Sequence, residues 1–176
     1  MKGNVRNETN FEIMSLLFRY ITRRINAMHI LFILAFLTFG IGDGLTSAIM
    51  MGKRGVSAES NLFFANMYSS SGLIGVITAK IGFTVLLLMA SLLVYWRSQG
   101  RNYWMVNGFL MALTLAGIMA TIANLQAAAG LPFMSPEKIL FIYLGMMFVF
   151  VEAGDFVDTR KFEASASART GVKPVY

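Results

Sequence analysis

The sequence predicts an all-α integral membrane four-helix bundle, and three observations predict it. Only 14% of the 176 residues are charged, with a mean hydropathy of +0.62, against about 25% charged in soluble domains. The apolar residues gather in four long stretches, each near the roughly 20 residues that cross a hydrocarbon core. Lysine and arginine collect on one side of those stretches, as the positive-inside bias of membrane proteins requires.

Residues 1–26 precede the bundle. The polar start MKGNVRNETNFE has no short apolar core followed by a small-residue cleavage site, so no cleavable signal peptide is expected. From Phe11 to Asn26, Glu12, Ser15, Arg19, Thr22, Arg23 and Asn26 recur at helical spacing opposite Phe11, Ile13, Leu16, Leu17, Tyr20 and Ile21. That pattern predicts an amphipathic helix in the inner membrane interface, opened by a Thr9–Glu12 capping box.

Residues 27–156 form the predicted bundle, with spans at about 27–51, 72–96, 103–128 and 138–156. The first has one charge, Asp43, and the second only Lys80 before Arg97. Tyr95 and Trp96, then Tyr103 and Trp104, suit interfacial anchoring around a short hairpin link. Ser135, Pro136 and Glu137 read as N-cap, N1 proline and acidic first turn of the fourth span. The longer link from Gly52 to Ser71 has room for a short surface helix. Residues 157–176 are polar and Ala/Ser-rich, and are expected to be a disordered cytoplasmic tail. With both termini in the cytoplasm, eleven basic residues lie inside (Lys2, Arg6, Arg19, Arg23, Arg24, Arg97, Arg101, Arg160, Lys161, Arg169, Lys173) and three outside (Lys53, Arg54, Lys138). The expected location is the cell membrane, with several crossings.

Asp43 and Lys80 sit at matching depth. Each lies about eight residues from the outer end of its span, roughly 12 Å at about 1.5 Å per residue. A charge in hydrocarbon costs at least about 2.5–3.5 kcal/mol, so an ion pair facing the interior is expected. Gly40 and Gly44 bracket Asp43 in a GxxxG pattern that favours close helix packing. Thr46 and Ser47 extend the polar patch. Lys80, Thr84 and Ser91 form a stripe on the second span, and Asn107, Thr114, Thr121 and Asn124 one on the third. Such stripes either glue helices together or line a common polar interior. Glu59 and Asn61 in the outer link are read as solvated or capping groups, with a place over the mouth of that interior as the other option. Glu152 and Asp155 are expected to pair with basic residues at the inner end.

Several chemistries are excluded. No cysteine is present, which removes disulfides, thiolate metal sites and thiol nucleophiles. A single histidine, His29, leaves no His-rich metal site. Thirteen methionines suit Cu(I) by softness, but no methionine ladder reaches the polar patch, so packing explains them. Phosphate loops, nucleophile elbows and HExxH are absent. No cofactor and no nucleic-acid partner is expected, despite the net charge of +6.

From Gly42 to Thr84 the chain reads GDGLTSAIMMGKRGVSAESNLFF…SGLIGVITAKIGFT. This resembles a small uncharacterised prokaryotic membrane family of unknown function. Its pattern is Asp-x-x-Thr in the first span, then Gly…Glu-x-Asn-Pro, a Lys in the second span and often an Asn late in the third. Asp43, Thr46, Gly55, Glu59, Asn61, Lys80 and Asn124 match in order, and Leu62 stands where the family has Pro. The resemblance covers about half the chain and implies four-helix topology and shared polar residues, without an activity.

On these grounds a non-catalytic accessory or scaffold subunit of a larger membrane complex comes first. Its partners would be the lipid bilayer and other subunits or a second copy. A small transporter or channel component, with Asp43 and Lys80 binding or gating an ion or polar solute, is the alternative. A membrane enzyme with Asp43 or Glu59 as base comes last.

Overall fold

The structure, a computed structural model, describes residues 25–170. Four helices follow one another: α1 (Ala27–Arg54), α2 (Leu62–Arg97), α3 (Tyr103–Ala128) and α4 (Pro136–Thr170). No strand occurs among the described residues. All four helices are long and apolar enough to cross a membrane, the character of a multi-pass membrane protein. The end carrying Gly55 and Gly130 is called upper below, and the end carrying Asn26 and Gly100 lower. The expected interfacial helix before residue 25 lies outside the described residues. Asn26 opens α1: its Oδ1 accepts from the His29 amide at 3.1 Å, and His29 Nδ1 accepts from the Asn26 amide at 3.3 Å. The single histidine is thus half of a capping box.

α1 is not uniform. Between α-helical segments Ala27–Ala35 and Asp43–Arg54 it winds as a π-helix over Phe36–Gly42. Such insertions re-phase the helix face beyond them and recur at functional sites. Here the segment ends at Asp43. α2 begins earlier than the sequence predicts, because Asn61 caps it by accepting from the Phe63 amide at 3.0 Å. The serine cluster also satisfies itself within the helix, as where Ser69 Oγ donates to the Ala65 carbonyl. The expected boundary survives as a kink at Gly72, whose φ of 63° and ψ of −155° only glycine adopts easily.

The tail differs more. Instead of disorder from 157, α4 continues to Thr170. The stretch RKFEASASA contains no helix breaker, and its first turn packs on the start of α3. Lys161 Nζ lies 4.8 Å from the centre of the Trp104 ring, and Arg101 lies 6.0 Å from that of Phe162. Asp158 accepts from the amides of Trp104 and Met105 at 2.8 and 3.0 Å, capping α3 from another helix. Glu152 and Asp155, by contrast, are exposed and pair with no described residue.

α3 is the hub. It packs on α1 and α4, while α2 packs mainly on α1. Gly117 lies against the backbone of Thr38 and Phe39 in the π segment, and Gly108 against the carbonyl of Phe150 in α4. A methyl group at either glycine would strike main chain, so these crossings are closer than any other residue allows. Two apolar clusters fill the bundle: Met28, Val106 and Leu110 below, and Ala48, Met50, Met51, Val76 and Ala127 above. α2 and α4 share no packed interface, and a cleft runs between them at the upper end.

Candidate functional site

Asp43 stands at the junction of π and α winding, with its carboxylate turned towards α2 and α3. Its Oδ2 lies 2.8 Å from Lys80 Nζ, and its Oδ1 accepts from Asn124 Nδ2 at 2.8 Å. Asn124 also donates to Thr46 Oγ1 at 3.3 Å, while Thr46 donates to the Gly42 carbonyl at 2.8 Å. The depth matching of the two charges is therefore a direct contact.

The third charge comes from the loop. Gly55, at φ 86°, reverses the chain after α1, and the single turn Val56–Ala58 delivers Glu59 inward. Its Oε2 accepts from Ser47 Oγ at 2.6 Å and lies 3.6 Å from Lys80 Nζ, and its Oε1 accepts from the Asn61 amide at 3.1 Å. The side chains of Lys80, Asp43 and Glu59 are only 8%, 13% and 12% exposed. Of the two readings of Glu59, the solvated one is thus corrected and the place at the mouth of the polar group holds: buried Ser47 and Lys80 draw its carboxylate in. Asn61 does cap, as expected of a loop residue, and its side chain serves α2 rather than the charges. The Lys80 ammonium also lies 5.0 Å from the centre of the Phe64 ring, close enough for attraction to its face.

Two carboxylates and one ammonium leave one negative charge uncompensated among these groups. Removing ions from water costs several kcal/mol each, and attraction repays it only with good geometry and further hydrogen bonds. Every carboxylate oxygen here has a donor. A carboxylate offers about four lone-pair sites, so Asp43 retains acceptor capacity. The group opens on a cavity of about 470 Å³, within the range of small-molecule sites. Asp43, Glu59, Lys80 and Asn124 supply polar wall, and Phe83 of α2 and Tyr143 of α4 also line it.

Other predicted site residues do different work. Thr84 is fully buried, donates to the Lys80 carbonyl at 2.8 Å and fills the notch at Gly40. Thr121 sits against Gly42 and donates to the Thr38 carbonyl at 3.5 Å. Gly44 receives the Lys80 stem and Ile77. Gly40 and Gly44 therefore seat α2, as a small-residue face should. The stripes do not continue as one polar interior. Ser91 and Thr114 donate to carbonyls of their own helices, Leu88 and Leu110, and Asn107 donates to the Tyr103 carbonyl while its buried Oδ1 has no partner. Sequence reasoning missed Phe64, Phe83 and Tyr143, because an aromatic residue on an apolar helix carries no sign of which cavity it walls.

Residues 34–130 match the family described as Domain of unknown function (DUF5658). The chain belongs to that family. The matched stretch contains Asp43, Thr46, Glu59, Lys80 and Asn124, and ends after α3. No curated protein and no solved structure matches the chain. In this DUF5658 chain, α4 lies beyond the matched residues yet contributes Tyr143 and Leu140 to the cavity.

Proposed function

We propose that this protein is a small cation-binding component of a membrane transporter or channel, with Asp43, Glu59 and Lys80 as its binding and gating group. One observation carries the reading. The three buried charges, net negative, line an open cavity instead of being sealed between helices. Charges that only glue helices together gain nothing from an adjoining void, and buried ionisable groups in membrane helices mark solute pathways. An incoming cation competes with the Lys80 ammonium for the two carboxylates, and displacement of Lys80 is the gating event. The protein sits in the cell membrane with both termini cytoplasmic, the orientation favoured by Arg97, Arg101, Arg160 and Lys161 at the lower end. An accessory-subunit role comes second.

A catalytic role is not part of this reading. Ser47, hydrogen-bonded to Glu59, has the outline of a base-activated nucleophile. It is, however, completely buried and does not line the cavity, so no substrate reaches it.

The test is uptake of a panel of monovalent cations, alkali-metal and organic, by vesicles reconstituted with the protein, where uptake of any one of them counts. Wild type takes them up above protein-free vesicles. The double variant Asp43→Asn/Lys80→Met, which removes one charge of each sign, inserts and folds but loses uptake. Unchanged uptake by the double variant would contradict the proposal.

A further inference from the structure

We infer that the natural ligand class is an amphipathic organic cation with an aromatic or aliphatic body, reaching the site sideways from the bilayer through the cleft between α2 and α4. This rests on the cation-site reading above and specifies its ligand. Three observations converge. The cavity floor carries one uncompensated negative charge, set by Asp43 and Glu59 against Lys80. Its walls are otherwise almost wholly apolar, with Phe39, Phe83, Leu87, Leu140 and Tyr143 among the lining residues. A small hydrated ion would meet too few oxygens along such walls to replace its water, whereas ring faces and alkyl surface solvate an organic cation well.

The third observation is the route. α2 and α4 do not pack on one another, and residues of both form the rim, with Phe83 49% and Leu140 56% exposed. In a membrane that rim faces lipid. An amphipathic cation already gathered in the bilayer slides its body between the helices while its charge moves towards Glu59. Charge complementarity distinguishes this occupant from a lipid tail, which would fill the cleft without regard to the carboxylates. Because α4 lies outside the matched family residues, the charged floor belongs to the family segment and part of the body-binding wall to α4.

The experiment is equilibrium binding to the full chain in lipid nanodiscs, with tetraphenylphosphonium, its near-isosteric anion tetraphenylborate, and tetramethylammonium. Tetraphenylphosphonium binds saturably above empty discs, tetraphenylborate does not, and tetramethylammonium binds at least tenfold more weakly. Glu59→Gln, which makes the group neutral, weakens tetraphenylphosphonium at least tenfold. Leu140→Trp, which narrows the rim without touching a charge, weakens tetraphenylphosphonium and leaves tetramethylammonium unchanged. Equal or tighter tetramethylammonium binding that still needs Glu59 overturns the ligand class and leaves the cation site standing. Binding of tetraphenylphosphonium that ignores Glu59→Gln, or binding of no cation at all, overturns both.

Discussion

Two asparagines on α3 teach what separates the two ends of this bundle. Asn124, at the upper end, donates to Asp43 and Thr46 across helix interfaces and holds a buried carboxylate in place. Asn107, at the lower end, donates to its own helix and leaves Oδ1 buried without a partner. Both are polar residues on the same predicted stripe. One belongs to a charged group beside a cavity, the other to an uncharged interior where Ser91 and Thr114 also satisfy themselves locally. Polarity alone does not make a site. An ion and open space beside it do.

The largest expected effect tests the upper end. Lys80→Met leaves Asp43 and Glu59 buried without their ammonium, and should lower stability by about 3–5 kcal/mol, the range for breaking a buried pair. The double variant Asp43→Asn/Lys80→Met should lose much less than the two single losses combined. Reversible unfolding in mixed micelles reads both, and additive losses would dissolve the charged group as a unit. Next comes the crossing that fixes the π segment: Gly117→Ala drives a methyl into the Phe39 backbone and should cost about 1–3 kcal/mol.

The asparagine pair sharpens the contrast. Asn124→Leu removes a donor to a charged oxygen and should cost about 1.5–3 kcal/mol. Asn107→Leu removes an unsatisfied buried oxygen and should be neutral or slightly stabilising. Equal losses from the two would erase the distinction between the ends. The smallest effect is Thr114→Val, within about 0.5 kcal/mol, because its hydroxyl only returns to the Leu110 carbonyl.

The Asp43–Lys80 contact was legible because a fixed rise per residue places two antiparallel positions at one depth. Asn124 and Thr46 followed from helical periodicity. Glu59 was legible as a candidate but not its inward turn, since its direction depends on a turn at Gly55 whose φ of 86° sends the chain back over the bundle. Thr84 and Thr121 lie on the same stripes but make packing contacts, because face periodicity does not say whether a hydroxyl bonds across an interface, to a glycine notch, or to its own helix. The π segment leaves no composition signal: FLTFGIG reads as an ordinary apolar turn. The helical end of α4 was hidden because a polar, Ala/Ser-rich stretch also suits a disordered tail, and the contacts that hold it come from Trp104 of α3 and from Arg101 just before that helix.

Because the chain has no native cysteine, the central claim is open to a direct measurement with single introduced thiols. Ala120 lines the upper cavity and Ala112 is fully buried in the lower half of the same helix. Ala120→Cys and Ala112→Cys would each be treated with a cationic and an anionic methanethiosulfonate reagent in sealed vesicles. An accessible, net-negative upper cavity predicts that Ala120→Cys reacts, several-fold faster with the cation, while Ala112→Cys stays inert. An unreactive Ala120→Cys, or one that favours the anion, would contradict it.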